Sequence, residues 1–221
     1  MSEKTAAIIG VTGMTGNYLL NEIMNDSYYE IIRVIVRRPY IKTDPRIEVK
    51  LVDFDDYESL KLAIDGSDAL FCNIGTTQKN VKGNKELYRK IDFDIPVNAA
   101  RACKETGCNK FVIVSSVGAD SKSSTFYLKL KGEVEDALSN SGLKAVHIMQ
   151  PSMLLGDRKE KRIGEQIGAP LINALSFLMV GSLRKYKPIH GREVARAMLN
   201  ASKKEEAGIF KYTYDDIKSL I

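Results

Sequence analysis

The sequence predicts a doubly wound parallel α/β sheet, three layers deep, in a single domain of 221 residues. Two observations carry this. Short runs, apolar on both faces, alternate with helix-like segments along most of the chain, the pattern of a parallel sheet covered on both sides. The first run, Thr5 to Ile9, leads into Gly10-Val-Thr-Gly13-Met-Thr-Gly16 and then Asn17-Tyr-Leu-Leu20, so a glycine turn stands where the first strand hands over to the first helix.

Strands are expected at Thr5 to Ile9, Ile31 to Val36, Glu48 to Val52, Ala69 to Asn73, Lys110 to Ser115 and Ala145 to Met149. Helices fill the gaps. They run over Thr15 to Asn25, Tyr57 to Ile64 behind Asp55 or Asp56 as cap, Glu86 to Thr106, Thr125 to Asn140, Pro170 to Val180, Arg192 to Ser202, and from Asp215. Gly107 and Gly142 follow two of them as C-caps, and Pro96 either starts or kinks the third. Residues 150–221 are expected on the substrate side. There the charged loop Gln150 to Gly168 covers the carboxyl ends of the strands as a lid, or is an ordinary solvated loop.

Composition bounds the rest. A hydrophobic fraction of 44% and a charged fraction of 28% are those of a globular protein. The net +5 comes from short dispersed basic groups without aromatic interleaving, so nucleic acid is not expected as a partner. Cys72, Cys103 and Cys108 fit neither a disulfide framework nor a zinc site, and no metal is expected. The longest apolar stretch, Leu171 to Val180, is too short for a membrane span. With no apolar leader before the first strand, a cytoplasmic protein is expected.

The glycine turn suits a pyrophosphate. The opening turn of a helix has N–H groups without partners and a partial positive end. Gly10 permits the turn, Gly13 lets phosphate approach the backbone, and Gly16 brings helix and sheet together. The second strand ends in Arg37-Arg38, where a binder of the unphosphorylated cofactor places an acid. Guanidinium groups there accept a 2′-phosphate, which favours NADP(H) over NAD(H); a solvated basic turn is the alternative. Asp53 and Phe54, after the third strand, are positioned to flank adenine, although Asp53 equally fits a turn before the next helix. Gly75 and Thr76, after the fourth, offer close approach and a hydroxyl to the ribose.

The fifth strand ends in Ser115-Ser116, and the following helix carries Tyr127 and Lys131 on one face. An ammonium beside a phenol favours phenolate, so Tyr127 can exchange a proton with a substrate oxygen that a serine holds. Tyr57 with Lys61 and Tyr214 with Lys218 repeat the spacing but follow no serine-ended strand, and read as exposed helix pairs. His147 reads as a core histidine and His190 as a residue bordering the site.

Together these motifs resemble the short-chain dehydrogenase/reductases. Ser115-Ser-Val-Gly-Ala-Asp120, Lys131-Gly-Glu-Val-Glu135, Gln150-Pro-Ser-Met-Leu-Leu-Gly-Asp-Arg158, Arg162-Ile-Gly-Glu165 and Val194-Ala-Arg-Ala-Met-Leu199 narrow the resemblance to the Tat-interacting-protein-like, NmrA-like atypical branch. The resemblance implies a Rossmann-like fold and a pyrophosphate site at Gly10, Thr12, Gly13, Met14, Thr15 and Gly16. It further implies Lys131 at the nicotinamide ribose, Pro151, Ser152 and Met153 beside the nicotinamide, and Ser116 in preference to Ser115 as the substrate-orienting serine. Where many relatives have an asparagine in the proton relay, this chain has Ile91-Asp92.

The expected function is NADP(H)-dependent oxidation or reduction of a small alcohol or carbonyl, with Tyr127, Lys131 and Ser116 catalytic. A non-catalytic NADP(H) sensor that changes its association with a protein partner is one alternative. A nucleotide-sugar epimerase or dehydratase is another. A monomer or a homodimer fits equally.

Overall fold

The computed structural model describes residues 3–156 and 179–221. The lid expected within 150–168 and the helix expected from Pro170 lie largely outside the described residues. Seven strands, all parallel, form the main sheet in the order β3-β2-β1-β4-β5-β6-β9. They are β1 (Thr5–Ile9), β2 (Ile31–Val36), β3 (Ile47–Leu51), β4 (Ala69–Cys72), β5 (Lys110–Val114), β6 (Ala145–Met149) and β9 (Gly208–Tyr212). The chain winds outward from β1 through β2 and β3, then returns to the other side of β1 with β4. The strand order therefore reverses between β1 and β4, and ligands of such sheets bind beyond the carboxyl ends of the strands at a switch point of this kind.

One face of the sheet packs on α1 (Met14–Met24), α6 (Gly191–Ser202) and α7 (Tyr214–Ser219), burying Ile8, Leu19, Leu20, Ile23, Phe71 and Met198. The other packs on α2 (Tyr57–Ile64), α4 (Ile95–Thr106) and α5 (Phe126–Ser139), burying Ile9, Leu60, Leu70, Cys103, Phe111 and Leu138. Side chains alternate along β1, so Ile8 and Ile9 enter opposite cores, and both faces must be apolar. A two-stranded ribbon, β7 (Leu154–Leu155) with β8 (Ile189–His190), lies outside the main sheet.

Several expectations need correction. The helix expected over Glu86 to Thr106 is three pieces: α3 (Lys85–Arg89), a π-helical turn at Lys90–Asp94, and α4. Pro96 explains the break, because it lacks the N–H that would bond the Asp92 carbonyl and its ring crowds that carbonyl, so the turn widens. Gly107 does end α4 in the left-handed region, with φ 78°. Gly142 does not cap α5, which stops at Ser139 with Asn140 as its C-cap. Strand β9 was not among the expected strands. Asp56, accepting from Glu58 and Ser59 N–H, is the cap of α2. β3 is not apolar on both faces either: as the edge strand it leaves Val49 and Leu51 exposed.

Candidate functional site: a dinucleotide crevice beside a buried lysine–aspartate pair

The crevice begins at the glycine turn. Gly10 has φ +89°, and a Cβ there would meet the Asn73 carbonyl carbon at 2.7 Å. A Cβ on Gly16 would come within 2.2 Å of the Gly10 oxygen. These two glycines are therefore required by the fold itself, which brings β1, β4 and α1 into backbone contact. Gly13 is different. Its φ is −79°, a value any residue adopts, and a Cβ would have Gly10 O at 3.4 Å as its nearest neighbour. Neither backbone nor packing demands glycine at this exposed position. A missing Cβ there leaves room for a phosphate, and no side chain among the described residues caps α1, whose first-turn N–H groups suit an anion. The turn fits a dinucleotide.

Thr12 is exposed beside Gly13, whereas Thr15 and Gly16 are buried. The Met14 side chain turns away from the glycine turn's exposed face. A Cβ on Gly156 would lie 3.1 Å from the Met14 sulfur and a Cβ on Gly191 2.9 Å from its terminal methyl, so the side chain is packed beneath the β7–β8 ribbon. Tyr18, one turn later, meets the same two glycines and lies 5.4 Å from the His190 ring. His190 also accepts the Arg192 N–H at 3.1 Å as the cap of α6, a structural duty at the border of the crevice.

Arg37 and Arg38 are exposed at the end of β2, and neither forms an ion pair or side-chain hydrogen bond among the described residues. Asp53, exposed after β3, accepts the Asp55 N–H at 3.0 Å, while Phe54 packs partly into the core. Gly75 is exposed and Thr76 buried after β4. The Thr76 N–H donates to Asp92 Oδ2 at 2.8 Å, and its carbonyl accepts from the Tyr88 hydroxyl at 3.1 Å.

Asp92 is the residue whose importance sequence reasoning understated. It lies in the π turn, 1% exposed, and its Oδ1 stands 3.1 Å from Lys131 Nζ, which is itself 7% exposed. A direct ion pair thus stands where the family resemblance implies an asparagine. Burial works against the Lys131 ammonium, but the Asp92 carboxylate beside it outweighs burial and raises the pKa, so the lysine is held charged. Tyr127, half-buried, packs on a small cluster of Val81, Tyr88 and Leu130. Gly132 positions this helix. A Cβ there would strike Ser121 N at 2.1 Å, so α5 lies directly on the loop that follows the serines.

The two serines have separate surroundings. Ser115, buried, donates to Glu135 Oε1 at 2.5 Å. Ser116 is half-buried, and among the described residues its hydroxyl makes only a 3.3 Å contact to the Val117 carbonyl. Pro151 is tied to the same loop, its carbonyl accepting the Val117 N–H at 3.0 Å. Ser152 Oγ donates to the Tyr186 carbonyl at 2.7 Å, and the Met153 carbonyl accepts the Ile189 N–H at 3.0 Å, which anchors the turn to the C-terminal segment.

The other tyrosine–lysine spacings are structural. Lys61 pairs with Glu105 at 2.8 Å, and the Tyr57 ring lies 3.5 Å from the Arg101 guanidinium carbon. Lys218 pairs with Glu193. His147 is fully buried and shares a 3.0 Å hydrogen bond with the Tyr212 hydroxyl. Cys72 is buried in β4, and burial pushes its thiol up to about 11, unsuited to a nucleophile.

A glycine turn at the switch point of a parallel sheet, followed by a strand-end serine and a helix bearing Tyr127 and Lys131, defines a dinucleotide-binding protein of the Rossmann type, built as the short-chain dehydrogenase/reductases are. The chain belongs to the NAD(P)H-binding family, whose model matches residues 10–174. It is 32% identical over 178 residues to the HTATIP2 protein of Rattus norvegicus, covering 79% of this chain and 73% of that one. It is 34% identical over 209 residues to the mitochondrial protein FMP52 of Candida glabrata, covering 93% and 88%. The resemblance to the atypical, NmrA-like branch is thereby upheld. The cytoplasmic expectation is overturned, because the FMP52 relatives of several fungi are named as mitochondrial.

Among solved structures, a UDP-N-acetylglucosamine 4-epimerase from Methanobrevibacter ruminantium matches with a TM-score of 0.70 at 15% identity, over 96% of this chain and 77% of that one. Uronate dehydrogenase from Agrobacterium tumefaciens matches with a TM-score of 0.69 at 13% identity, over 96% and 77%. At such identities these matches establish the fold. Among the described residues, no helix is long and apolar enough to cross a membrane.

Proposed function

We propose that the protein is an NADP(H)-dependent oxidoreductase of the short-chain type, acting on a small carbonyl or alcohol. The observation that carries this reading is the buried ion pair between Asp92 of the π turn and Lys131 of the helix that bears Tyr127. In it the pyrophosphate rests on the first-turn N–H groups of α1 beside Gly13, Arg37 and Arg38 hold the 2′-phosphate, and Asp53 with Phe54 borders adenine. Lys131 holds the nicotinamide ribose, next to Pro151, Ser152 and Met153. The bound cofactor supplies or accepts hydride. The chain's own residues manage the oxygen: Ser116 holds it by hydrogen bond and Tyr127 gives or takes its proton. Ser116 suits that task because the Ser115 hydroxyl is committed to Glu135. The FMP52 relatives support a mitochondrial setting for this activity.

The test is NADPH oxidation across a panel of small aldehydes and ketones by the parent and by Tyr127→Phe. Turnover by the parent, lost in the variant while NADPH still binds, is the expected result. Equal rates refute the role of Tyr127. NADPH binding without turnover on any member of the panel would instead make the protein a cofactor-responsive binding protein.

A further inference from the structure

One buried cluster beside the site has no part in the proton and hydride steps. Tyr127, Lys131 and Glu135 succeed one another at four-residue intervals along α5 and share a face. Glu135 is 1% exposed. Its Oε1 accepts from Ser115 Oγ at 2.5 Å and from Gln150 Nε2 at 2.9 Å. Its Oε2 accepts from the same Gln150 nitrogen at 2.9 Å and pairs with Lys211 Nζ at 2.8 Å. The three partners come from the ends of β5 and β6 and from β9. Ser115 immediately precedes Ser116, and Gln150 immediately precedes Pro151.

A buried charge at this place is not what folding alone would select. Taking a carboxylate out of water costs several kcal/mol, and well-packed apolar replacements of whole buried ion pairs are often neutral or stabilising. What the carboxylate supplies is direction. The backbone already ties the two strand ends together, through Ser115 N–H to the Met149 carbonyl at 2.7 Å and Val117 N–H to the Pro151 carbonyl at 3.0 Å. Glu135 adds the third anchor, fixing both ends to the helix that carries Tyr127 and Lys131.

We propose that Glu135 is a positioning residue: its carboxylate, neutralised by Lys211, sets Ser116 and the Pro151 turn in register with Tyr127. The inference rests on the oxidoreductase reading above, because it assigns Ser116 to the substrate and Pro151 to the nicotinamide side. It places Glu135 outside direct contact with either.

Two variants test it, Glu135→Gln and the double variant Glu135→Met with Lys211→Met. In the first, an amide nitrogen must face the Gln150 or Lys211 donors. The second removes the charges together and leaves an apolar filling. Thermal unfolding, NADPH affinity, the fluorescence of bound NADPH, and kcat and KM on an accepted carbonyl are measured for each. With the Ser115 hydroxyl and the Gln150 amide left without their acceptor, the double variant is expected to unfold a few degrees below the parent and, while folded, to bind NADPH within about three-fold. Its kcat is expected to fall by at least about ten-fold with KM little changed, since a misplacement of about 1 Å can cost up to about 100-fold. The bound nicotinamide emission is expected to differ from the parent's. A folded double variant with parental kcat and parental NADPH emission overturns the inference, as does a loss of activity that merely follows the loss of folded protein. If the parent binds NADPH but turns over no carbonyl, an unchanged emission in the variant overturns it. A parent that does not bind NADPH refutes the oxidoreductase reading and this inference together.

Discussion

Alanine substitutions at Gly13 and Gly16 separate what the fold needs from what a ligand needs. At Gly16 the new Cβ would lie 2.2 Å from the Gly10 oxygen and 2.8 Å from its carbonyl carbon, and both neighbours are backbone. Neither can rotate away. The helix must slide off the sheet, and overpacking of this kind costs about 1–3 kcal/mol or more. For a chain of this length each kcal/mol corresponds to roughly 2–4 °C, so Gly16→Ala should melt several degrees lower. At Gly13 the nearest atom is 3.4 Å away and φ is −79°, so alanine introduces no clash. Replacing a glycine N-cap by alanine costs a fraction of a kcal/mol to about 1, or at most a few degrees. On the proposed reading, however, the same methyl stands where the cofactor phosphate meets the α1 N–H groups. Gly13→Ala should therefore fold and yet lose at least about ten-fold in NADPH affinity, or roughly 1.4 kcal/mol. Differential scanning fluorimetry and calorimetric titration read the two effects. Parental NADPH affinity in Gly13→Ala would refute the phosphate cradle, and a parental melting temperature in Gly16→Ala would refute the packing argument.

Three further outcomes follow from the site and its surroundings. Asp92→Ala leaves the Lys131 ammonium buried without its counter-charge and should cost about 3–5 kcal/mol in urea denaturation, whereas Asp92→Asn, which can still accept the Thr76 N–H, should cost less. Arg37→Ala and Arg38→Ala should each weaken NADPH binding by about ten- to one-hundred-fold, the range of a charge-assisted hydrogen bond of roughly 1.5–3 kcal/mol, and leave NADH binding nearly unchanged in calorimetry. For His147, burial and then the nearby Lys110 and Lys204 charges depress the pKa from 6.5 to about 4. The unfolded chain therefore binds the additional proton first as pH falls. The stability due to neutral His147 is fully present above about 6.5 and is lost progressively toward about 4, by something on the order of 3 kcal/mol. Denaturation of His147→Phe and the parent at pH 7 and pH 4.5 should show a shallower acid loss in the variant.

The sequence revealed most where local chemistry and global fold agree. β1 and β2 stand at their expected boundaries because each is a short apolar run that ends where the next segment must turn. The turn from Gly10 to Gly16 was legible because a strand that hands over to a helix packed this closely carries its own glycine spacing. β9 was not. Gly208-Ile-Phe-Lys-Tyr212 alternates weakly and follows a helix closely; its identity as a strand comes from pairing with β6, a tertiary fact. The π turn was half-legible, since Pro96 announced a break without saying that the chain would widen upstream of it.

At the site, the Tyr127 and Lys131 pairing was readable from helical spacing. The Asp92 partner was visible as a departure from the pattern that the family resemblance implies, but its ion pair depends on the π turn that brings it to α5. Glu135 gave a weak signal, an acid one turn beyond Lys131 on a face that must be buried. Lys211 gave none, because it belongs to the strand the sequence did not disclose.

The most direct test of the central claim follows the hydride itself. NADPH carrying deuterium at the transferable position of C4 is supplied to the parent and to Tyr127→Phe with a carbonyl from the panel, and the alcohol is analysed by mass spectrometry. Deuterium is expected on the product carbon with the parent, and a rate lower by about 100-fold or more in the variant. An unlabelled product, or equal rates of labelling by the two proteins, would contradict the central claim.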